Sequence, residues 1–330
     1  MGFRNGKNNN VIYYIVNFWR YMLPRAIFQF RLNSVIRSIE KRADYPKLKA
    51  RADYYNRLDE KKILPAAART LGTHRYSNYE RDGGGLARGG SAYFFDTYEH
   101  IRWFDSQFRW AYAFGDVVNI PDIPTIVKSR PIHGDIRNAV LLNLDKLRHF
   151  VFLNDPISYE EKDPRSIFYA DMRGKPHRID FMEKYFEHPK CLCGDVSYHP
   201  SIPEKWYVKK LTLYQLLRYR YILTIEGNDV ATNLKWVMGS NSLAVMPRPK
   251  YETWFMEGSL IPDYHYIEIK EDYSDLIEKM DYYNAHPEMA KVIISNANRY
   301  TKQFQDRKTE RDISILVMRK YFEMTQNKNK

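Results

Sequence analysis

Apolar segments of strand length alternate with segments of helical periodicity through most of the chain, and this alternation limits the folds it can adopt. The strand-like segments are residues 116–120, 125–127, 139–144, 149–152, 167–169, 221–225, 242–246 and 265–269. The later helical segments are residues 178–186, 207–219, 233–238, 275–283, 287–303 and 310–323. Strands separated by helices are joined by crossover connections, so the pattern predicts an α/β architecture with parallel sheets.

Charge is distributed unevenly along the chain. The 330 residues carry a formal net charge of +12, but residues 1–51 hold eleven basic and two acidic side chains, and the remainder is nearly balanced. A high net charge that belongs to one terminal segment is weak support for a nucleic-acid partner, and we predict none. Hydrophobic residues make up 44% and charged residues 28%, which is typical of a folded globular chain.

The sequence pattern of residues 1–75, the basic N-terminal segment, predicts helices. Residues 11–23 and 25–42 form two aromatic, amphipathic stretches separated by Pro24, and residues 44–75 form a more polar one. Aromatic, basic, amphipathic helices are typical of contact with an anionic membrane surface or of docking to a partner protein. Residues 11–51 would make that contact here. An ordinary helix that packs on the protein with its basic side in water fits the same pattern.

The two cysteines, Cys191 and Cys193, are too few for a disulfide framework and indicate a reducing compartment. We find no secretory signal pattern and no apolar run of spanning length. We therefore expect a cytoplasmic protein, peripheral on the inner face of the cytoplasmic membrane if the N-terminal segment binds lipid. His188 and His199 flank the cysteines, but the spacing is unusual for zinc, and no Asp-x-Asp motif is present, so we predict no metal.

The most informative stretch is residues 219–246, YRYILTIEGNDVATNLKWVMGSNSLAVM. An apolar strand ends at Glu226-Gly227, where glycine permits a sharp turn and close approach of a ligand. Asn228 is one of several residues that can cap the following helix. Because open α/β sheets bind ligands at the carboxyl ends of their strands, and helix N-termini favour phosphates, the pattern favours an anion site here. Lys235 could reach the same anion. A plain strand-turn-helix unit without a ligand has the same pattern.

This stretch and its continuation resemble glycosyltransferase family 90, which includes Rumi-type protein O-glucosyltransferases, capsule-associated xylosyltransferases and bacterial lipopolysaccharide glycosyltransferases. The matching residues are Tyr221, Glu226-Gly227, Ser240–Leu243, Trp254, Pro262, His265-Tyr266, Asp272, Ser274 and Leu276. Two upstream blocks, residues 169–178 and 118–124, are similar to the family's "FRGS…R" and "INxRDxP" blocks. The resemblance covers about residues 95–305.

The resemblance implies a GT-B fold, with two Rossmann-like domains facing a cleft. Placed on this sequence, it gives an extra N-terminal helical segment (1–75), an acceptor domain (76–165), a donor domain (166–305) and a C-terminal helix (306–330) that packs back on the N-terminal domain. It also implies a UDP-sugar donor, no cofactor, and an inverting transfer that requires no metal.

Site residues follow from the matched motifs. The family's general base falls on Asp122, with Asp116 as the alternative if the short block is misaligned. The diphosphate-contacting block falls on Arg173 and Arg178, with Lys175 in place of its serine. The phosphate-binding arginine of relatives is replaced by Asn233, which leaves Lys235 as the nearest cation. We also place Glu226, Gly227, Asn228 and Ser240 at the nucleotide-sugar site.

These features predict a glycosyltransferase that moves glucose, xylose or a similar sugar from a UDP-sugar to a hydroxyl of a glycan or lipid-linked oligosaccharide, in lipopolysaccharide or capsule assembly. Two alternatives stay open at this point: a non-catalytic nucleotide- or glycan-binding relative, and a protein O-glycosyltransferase.

Overall fold

The computed structural model describes residues 6–76 and 90–327, in which helices alternate with short strands. The helices are α1 (Asn10–Met22), α2 (Arg25–Glu40), α3 (Tyr45–Tyr55), α4 (Gly90–Ile101), α5 (Lys146–His149), α6 (Pro176–Tyr185), α7 (Leu213–Leu216), α8 (Leu234–Met238), α9 (Leu276–Ala285), α10 (Pro287–Lys302) and α11 (Arg307–Thr325). The strands are β1 (Arg69–Thr70), β2 (Arg109–Trp110), β3 (Tyr112–Ala113), β4 (Thr125–Val127), β5 (Ser129–Pro131), β6 (Ala139–Leu141), β7 (Asp163–Ala170), β8 (Cys191–Asp195), β9 (Tyr219–Leu223), β10 (Leu243–Met246), β11 (Tyr251–Thr253) and β12 (Ile267–Glu268). The chain is therefore a mixed α/β protein.

Two compact units divide the chain. The five-strand unit comprises Met1–Asn8, Arg148–Pro249 and Glu257–Gln305, and the three-strand unit comprises Asn9–Leu147, Lys250–Met256 and Asp306–Lys330. The boundary thus lies at residue 148 and not at the predicted residue 166. Contacts within the five-strand unit explain the difference: the buried Lys162 ammonium lies 2.8 Å from the Asp155 carboxylate and also donates to the Leu217 carbonyl.

The sheet of the five-strand unit is parallel throughout, with the spatial order β8-β7-β9-β10-β12. Counted along the chain within this unit, the order is 2-1-3-4-5, which is the flavodoxin-like order of doubly wound sheets. Residues 221–223 of β9 and all of β10 are apolar and buried, as expected for a parallel sheet covered on both faces, whereas Tyr219 and Arg220 at the start of β9 are half-buried. The direction of winding reverses between β7 and β9, which makes this pair the topological switch point.

The three-strand unit contains a second parallel sheet, in the order β3-β4-β6. Beside it, β5 pairs antiparallel with β11. Arg130 of β5 and Glu252 of β11 form a fully buried ion pair at 2.8 Å, and the guanidinium also donates to the Ala139 carbonyl at 2.8 Å. Removing either charge would leave the other buried alone, so this pair holds β11 firmly in the three-strand unit.

The N-terminal helices are part of the three-strand unit and do not form the separate segment that the sequence predicted. Arg51 of α3 bonds to Glu310 of α11 at 2.7 Å, and Arg42 bonds to Asp312 of the same helix at 2.9 Å. The C-terminal helix α11 therefore packs within this unit. None of the helices in the described residues is both long enough and apolar enough to cross a bilayer.

Several predicted elements differ from the structure. Within residues 44–75, the α-helix ends at Tyr55, because Asn56 leaves the helical conformation and its side-chain amide donates to the Val317 carbonyl. Residues 116–120 form no strand. There, the amide of Val117 donates to the Ser129 hydroxyl and not to a neighbouring strand.

Two other segments are less regular than predicted. Residues 150–152 have no regular structure, and His149 ends α5. Of residues 207–219, only Leu213–Leu216 is α-helical, starting from a capping box between Thr212 and Gln215. The sequence analysis did not predict α4, β5, β8 or β11, nor the two-residue strands β1, β2 and β3.

Candidate functional site

The carboxyl ends of β7 and β9 define the candidate site. In a doubly wound sheet, ligands bind outside the carboxyl ends of the strands at the switch point, because the loops there diverge to opposite faces of the sheet. In this chain the two loops are residues 171–175, between β7 and α6, and residues 224–233, between β9 and α8. Most of the predicted donor-binding residues lie in these loops or in the first turn of α6.

Arg178 joins the two loops. Its guanidinium donates to the carbonyls of Glu226 and Ile225 at 2.8 Å each, and to the carbonyl of Asp171 at 3.0 Å. Burial lowers the pKa of Arg178 to about 10, so the group is still a cation at neutral pH. Arg178 therefore positions both loops and brings a positive charge to the switch point, but its hydrogen-bonding capacity is largely used by backbone carbonyls.

Lys175 and Arg173 add two cations beside this arginine. The Lys175 ammonium donates to the Arg173 carbonyl at 3.0 Å, and the exposed Arg173 guanidinium lies 3.1 Å from the Asp171 carboxylate. Gly174, with φ +66°, makes the left-handed turn between them. Three cationic side chains within six residues, at the carboxyl edge of a parallel sheet, form a suitable site for a diphosphate.

Gly227 lies close to this cluster. A Cβ atom at this position would be 3.5 Å from the Arg178 Nη2 atom and 3.8 Å from the Lys175 Cε atom. The glycine thus leaves the surface next to the cations open. Glu226 contributes its carbonyl to Arg178, and Asn228 lies exposed on the same loop.

Two residues with structural roles at this edge were missed by the sequence analysis. His177 Nε2 lies 2.9 Å from the Glu226 carbonyl oxygen, so this ring also joins the two loops. Asp195 is fully buried at the end of β8, and its carboxylate accepts from the amides of Met172 and Ser197 at 2.9 Å each. A Gly-Asp pair that ends an apolar segment is the signal that could have identified Asp195.

Lys235 does not join the cationic cluster, which corrects the prediction that it reaches a bound phosphate. Its side chain is 0% exposed, and its ammonium lies 2.6 Å from the carboxylate of Glu257, which is itself buried. The ion pair neutralises this charge inside the five-strand unit. Asn233, the position of the arginine in relatives, donates to the Leu223 carbonyl at 2.9 Å and so fixes the end of β9.

Ser240 lies at the other edge of the sheet, which corrects its placement at the donor site. The connection from β9 must return through α8 to the amino end of β10, and Ser240 stands just before that strand. Its neighbour Ser242 donates to the carbonyl of Tyr219, the first residue of β9, at 2.8 Å. Ser240 itself is buried and donates to the Val237 carbonyl at 2.7 Å.

The two candidate bases lie in the three-strand unit. Asp122 is exposed in the loop before β4, and that loop is held by Asn138, whose amide donates to the Asp122 carbonyl at 2.8 Å. Within the described residues, no hydrogen bond or ion pair engages the Asp122 carboxylate. Asp116, in contrast, lies 2.5 Å from the buried ammonium of Lys128. This difference favours Asp122 as the group that can accept a proton.

Both cysteines are buried in the sheet of the five-strand unit. Cys191 and Cys193 are buried in β8 with free thiols, and burial raises the pKa of both. Within residues 6–76 and 90–327, no group of three or more His, Cys, Asp and Glu side chains is arranged to hold a metal ion.

Comparison with known proteins shows a family and several relatives that this chain resembles. A sequence model described as glycosyl transferase family 90 matches residues 144–330. The chain is 39% identical to the O-glucosyltransferase LpsA of Dichelobacter nodosus over 274 residues, which cover 83% of this chain and 82% of that relative. It is also 26% identical to protein O-glucosyltransferase 3 of Homo sapiens over 131 residues, 38% of this chain and 25% of that protein.

These similarities identify an enzyme class and a family. The chain is a glycosyltransferase, and it belongs to glycosyltransferase family 90. The resemblance found in the sequence motifs is thereby confirmed. As a glycosyltransferase, it binds a sugar donor and a glycan acceptor.

Proposed function

We propose that the enzyme transfers glucose from UDP-glucose to a hydroxyl group of a glycan, without a metal ion and with inversion at the anomeric carbon. The observation that carries the proposal is the cluster of Arg173, Lys175 and Arg178 at the switch point of the five-strand sheet. The names of the relatives, all O-glucosyltransferases where an activity is stated, support glucose as the sugar. A GT-B organisation, with one α/β unit for each substrate, is part of the proposal.

The chemistry is a single displacement. The acceptor oxygen attacks the anomeric carbon of glucose as the bond from that carbon to the UDP oxygen breaks. The Asp122 carboxylate takes the proton from the acceptor hydroxyl, which keeps the attacking oxygen nucleophilic throughout the reaction. UDP departs with the bonding electron pair, and the three cations stabilise the negative charge that develops on its phosphate. Cations fixed in advance can take the place that a divalent metal has in other sugar-nucleotide enzymes, so we expect no metal requirement.

We propose a glycan or lipid-linked oligosaccharide as the acceptor, in lipopolysaccharide or capsule assembly at the inner face of the cytoplasmic membrane. The bacterial relative supports this choice, because its similarity extends over most of both chains, whereas the protein O-glucosyltransferases match about a third of this chain. A protein acceptor is the alternative that an acceptor screen tests.

UDP release measures this function directly. With UDP-glucose and an oligosaccharide acceptor, we expect turnover that persists in EDTA and falls when UDP-glucose is replaced by UDP-xylose or UDP-galactose. The anomeric configuration of the product, read by NMR, should be inverted relative to the donor. Retention of configuration, or loss of turnover in EDTA that Mg²⁺ restores, would contradict the proposed mechanism. Equal turnover with all three donors would contradict the assignment of glucose.

A further inference from the structure

Helix α1 is attached to the three-strand unit by its more polar side. The Tyr13 hydroxyl donates to the buried carboxylate of Asp96 at 2.7 Å, and the Tyr14 hydroxyl lies 2.8 Å from the Ser91 hydroxyl. The ring of Tyr21 packs edge-on against Tyr98, with 4.8 Å between the ring centroids. All three contacts are with α4, so α1 is firmly held with one fixed side facing outward.

The outward side of α1 is apolar, and it continues onto the start of α2. We call this surface the N-terminal apolar face; its exposed residues are Val11, Ile12, Ile15, Val16, Phe18, Trp19, Met22, Leu23, Ile27 and Phe30. Phe30 is 91% and Trp19 67% exposed. In the described part of the chain, half of the exposed large apolar side chains belong to this face. Exposed apolar side chains concentrated on one helix and the start of the next mark a site of interaction with an apolar partner.

The segment that carries this face is basic, and the acidic Glu99 of α4, which lies beside α1, is paired with Arg20 at 2.9 Å. Residues 6–39 contain no aspartate or glutamate. Arg31 and Arg37 of α2 are exposed, and Lys41 follows in the same state. The face therefore combines apolar side chains that can enter the acyl region of a bilayer with arginines and a lysine that can contact anionic headgroups.

We infer that the N-terminal apolar face inserts into the surface of an anionic phospholipid bilayer. The apolar residues of α1 extend from Val11 to Met22, along nearly the full length of the helix, so all of them reach the lipid only if this helix lies parallel to the membrane plane. Trp19 and Phe18 then lie among the headgroups and upper acyl chains, with the basic residues of α2 at the edge of the contact. The inference deepens the peripheral membrane location proposed above and rests on it.

A second copy of this chain fits the face less well than lipid does. A twofold-symmetric dimer brings the same surface of two molecules together. With no acidic residue in residues 6–39, the arginines of one copy would meet those of the other without a countercharge. Anionic lipid supplies the charge that this surface lacks.

Vesicle flotation of the full-length protein tests the inference. We expect the wild type to float with phosphatidylcholine vesicles that contain about 30% phosphatidylglycerol, and much less with phosphatidylcholine alone. The variant Ile15→Glu/Trp19→Glu/Phe30→Glu changes only exposed side chains and should lower the bound fraction by about tenfold or more. Val292→Glu on α10, a position 53% exposed, is the matched control and should bind as the wild type does.

Tryptophan fluorescence gives a second and more local measurement. Of the six tryptophans, Trp103, Trp110, Trp206, Trp236 and Trp254 are buried, and only Trp19 is exposed. Lipids brominated near the headgroup end of the acyl chain should therefore quench Trp19, and Trp19→Phe should remove the quenched component.

Two outcomes would overturn the inference: failure of the wild type to bind anionic vesicles at low salt, and equal binding by the wild type and the triple variant. A wild-type dimer that the triple variant converts to monomer would assign the face to a second copy instead. UDP release with a soluble oligosaccharide acceptor, measured without vesicles, should be unchanged in the triple variant. That assay separates a failure of membrane binding from a failure of the proposed sugar transfer.

Discussion

Replacing Asp122 with asparagine is expected to lower kcat by about two to four orders of magnitude, the usual contribution of a general base. Asparagine keeps the size of the side chain and the loop before β4, but it cannot accept the acceptor's proton. The affinity for UDP should change little, because the cations that we assign to the diphosphate lie in the other unit. Steady-state UDP release and calorimetric titration with UDP measure the two quantities separately.

Two further variants sharpen this test. Asp59→Asn, at a carboxylate that is 63% exposed in the same unit, is the matched control and should retain full turnover. Asp116→Asn tests the alternative base. If Asp116→Asn loses turnover while Asp122→Asn retains it, the assignment moves to Asp116, and the pairing with Lys128 becomes part of the mechanism. Full activity in both variants would contradict a carboxylate base in this segment.

Replacing Arg178 with alanine is expected to affect both stability and donor binding. The change removes the guanidinium donor from three backbone carbonyls of two loops, of which that of Glu226 keeps His177 as a partner, and this should lower the free energy of unfolding by about 2–4 kcal/mol. It also removes a cation from the switch point and lets the loops separate, so we expect UDP affinity to fall by about tenfold or more. Denaturant unfolding and UDP titration give the two values.

Two comparison variants separate positioning from charge. Arg178→Lys keeps the cation but cannot span the carbonyls of Asp171, Ile225 and Glu226, so it should remain destabilised. Arg173→Ala, at a side chain that is 56% exposed, should weaken UDP binding while stability stays within about 0.5 kcal/mol of the wild type. If Arg178→Ala unfolds at the wild-type denaturant concentration and binds UDP normally, the proposed role of this arginine is wrong.

Local sequence signals predicted secondary-structure elements in both units. The predicted strand at residues 125–127 is β4, and the predicted helix at residues 287–303 is α10, which begins at Pro287 as a proline in the first turn favours. The alternation of strands and helices correctly predicted parallel sheets, and the glycine turn after β9 was found in the position expected for a ligand loop. These features depend on neighbouring residues, so one sequence contains enough information to find them.

The errors at the site concern contacts between residues distant in the chain. Lys235 was placed at the phosphate because it follows the turn, but its charge is used by Glu257, which lies 22 residues further on. The hydrogen bonds by which Arg178 joins the two loops go to the carbonyls of Ile225 and Glu226, which lie 47 and 48 residues further along the chain. No periodicity or motif in one chain specifies such pairs, since the three-dimensional arrangement of the sheet creates them.

Ser240 is a different kind of error, because sequence reasoning could have avoided it. A residue just before a strand of a parallel sheet lies at the amino edge, and the candidate site was expected at the carboxyl edge. The family motif gave the order of the residues but not the edge on which each one lies.

The orientation of the N-terminal helices was not predicted either. Amphipathicity predicted α1 and α2, but not that the tyrosines of α1 would face α4 and leave its aliphatic side exposed.

Hydrogen–deuterium exchange with and without UDP tests the central claim most directly, because it locates the donor within the fold. We predict that UDP slows exchange in peptides that cover residues 171–178 and 224–233, at the carboxyl edge of the five-strand sheet. Residues 239–242, at the opposite edge, should exchange at the same rate with and without UDP. Protection that is absent from the first two segments, or that occurs instead at residues 239–242, would contradict a donor site at the switch point.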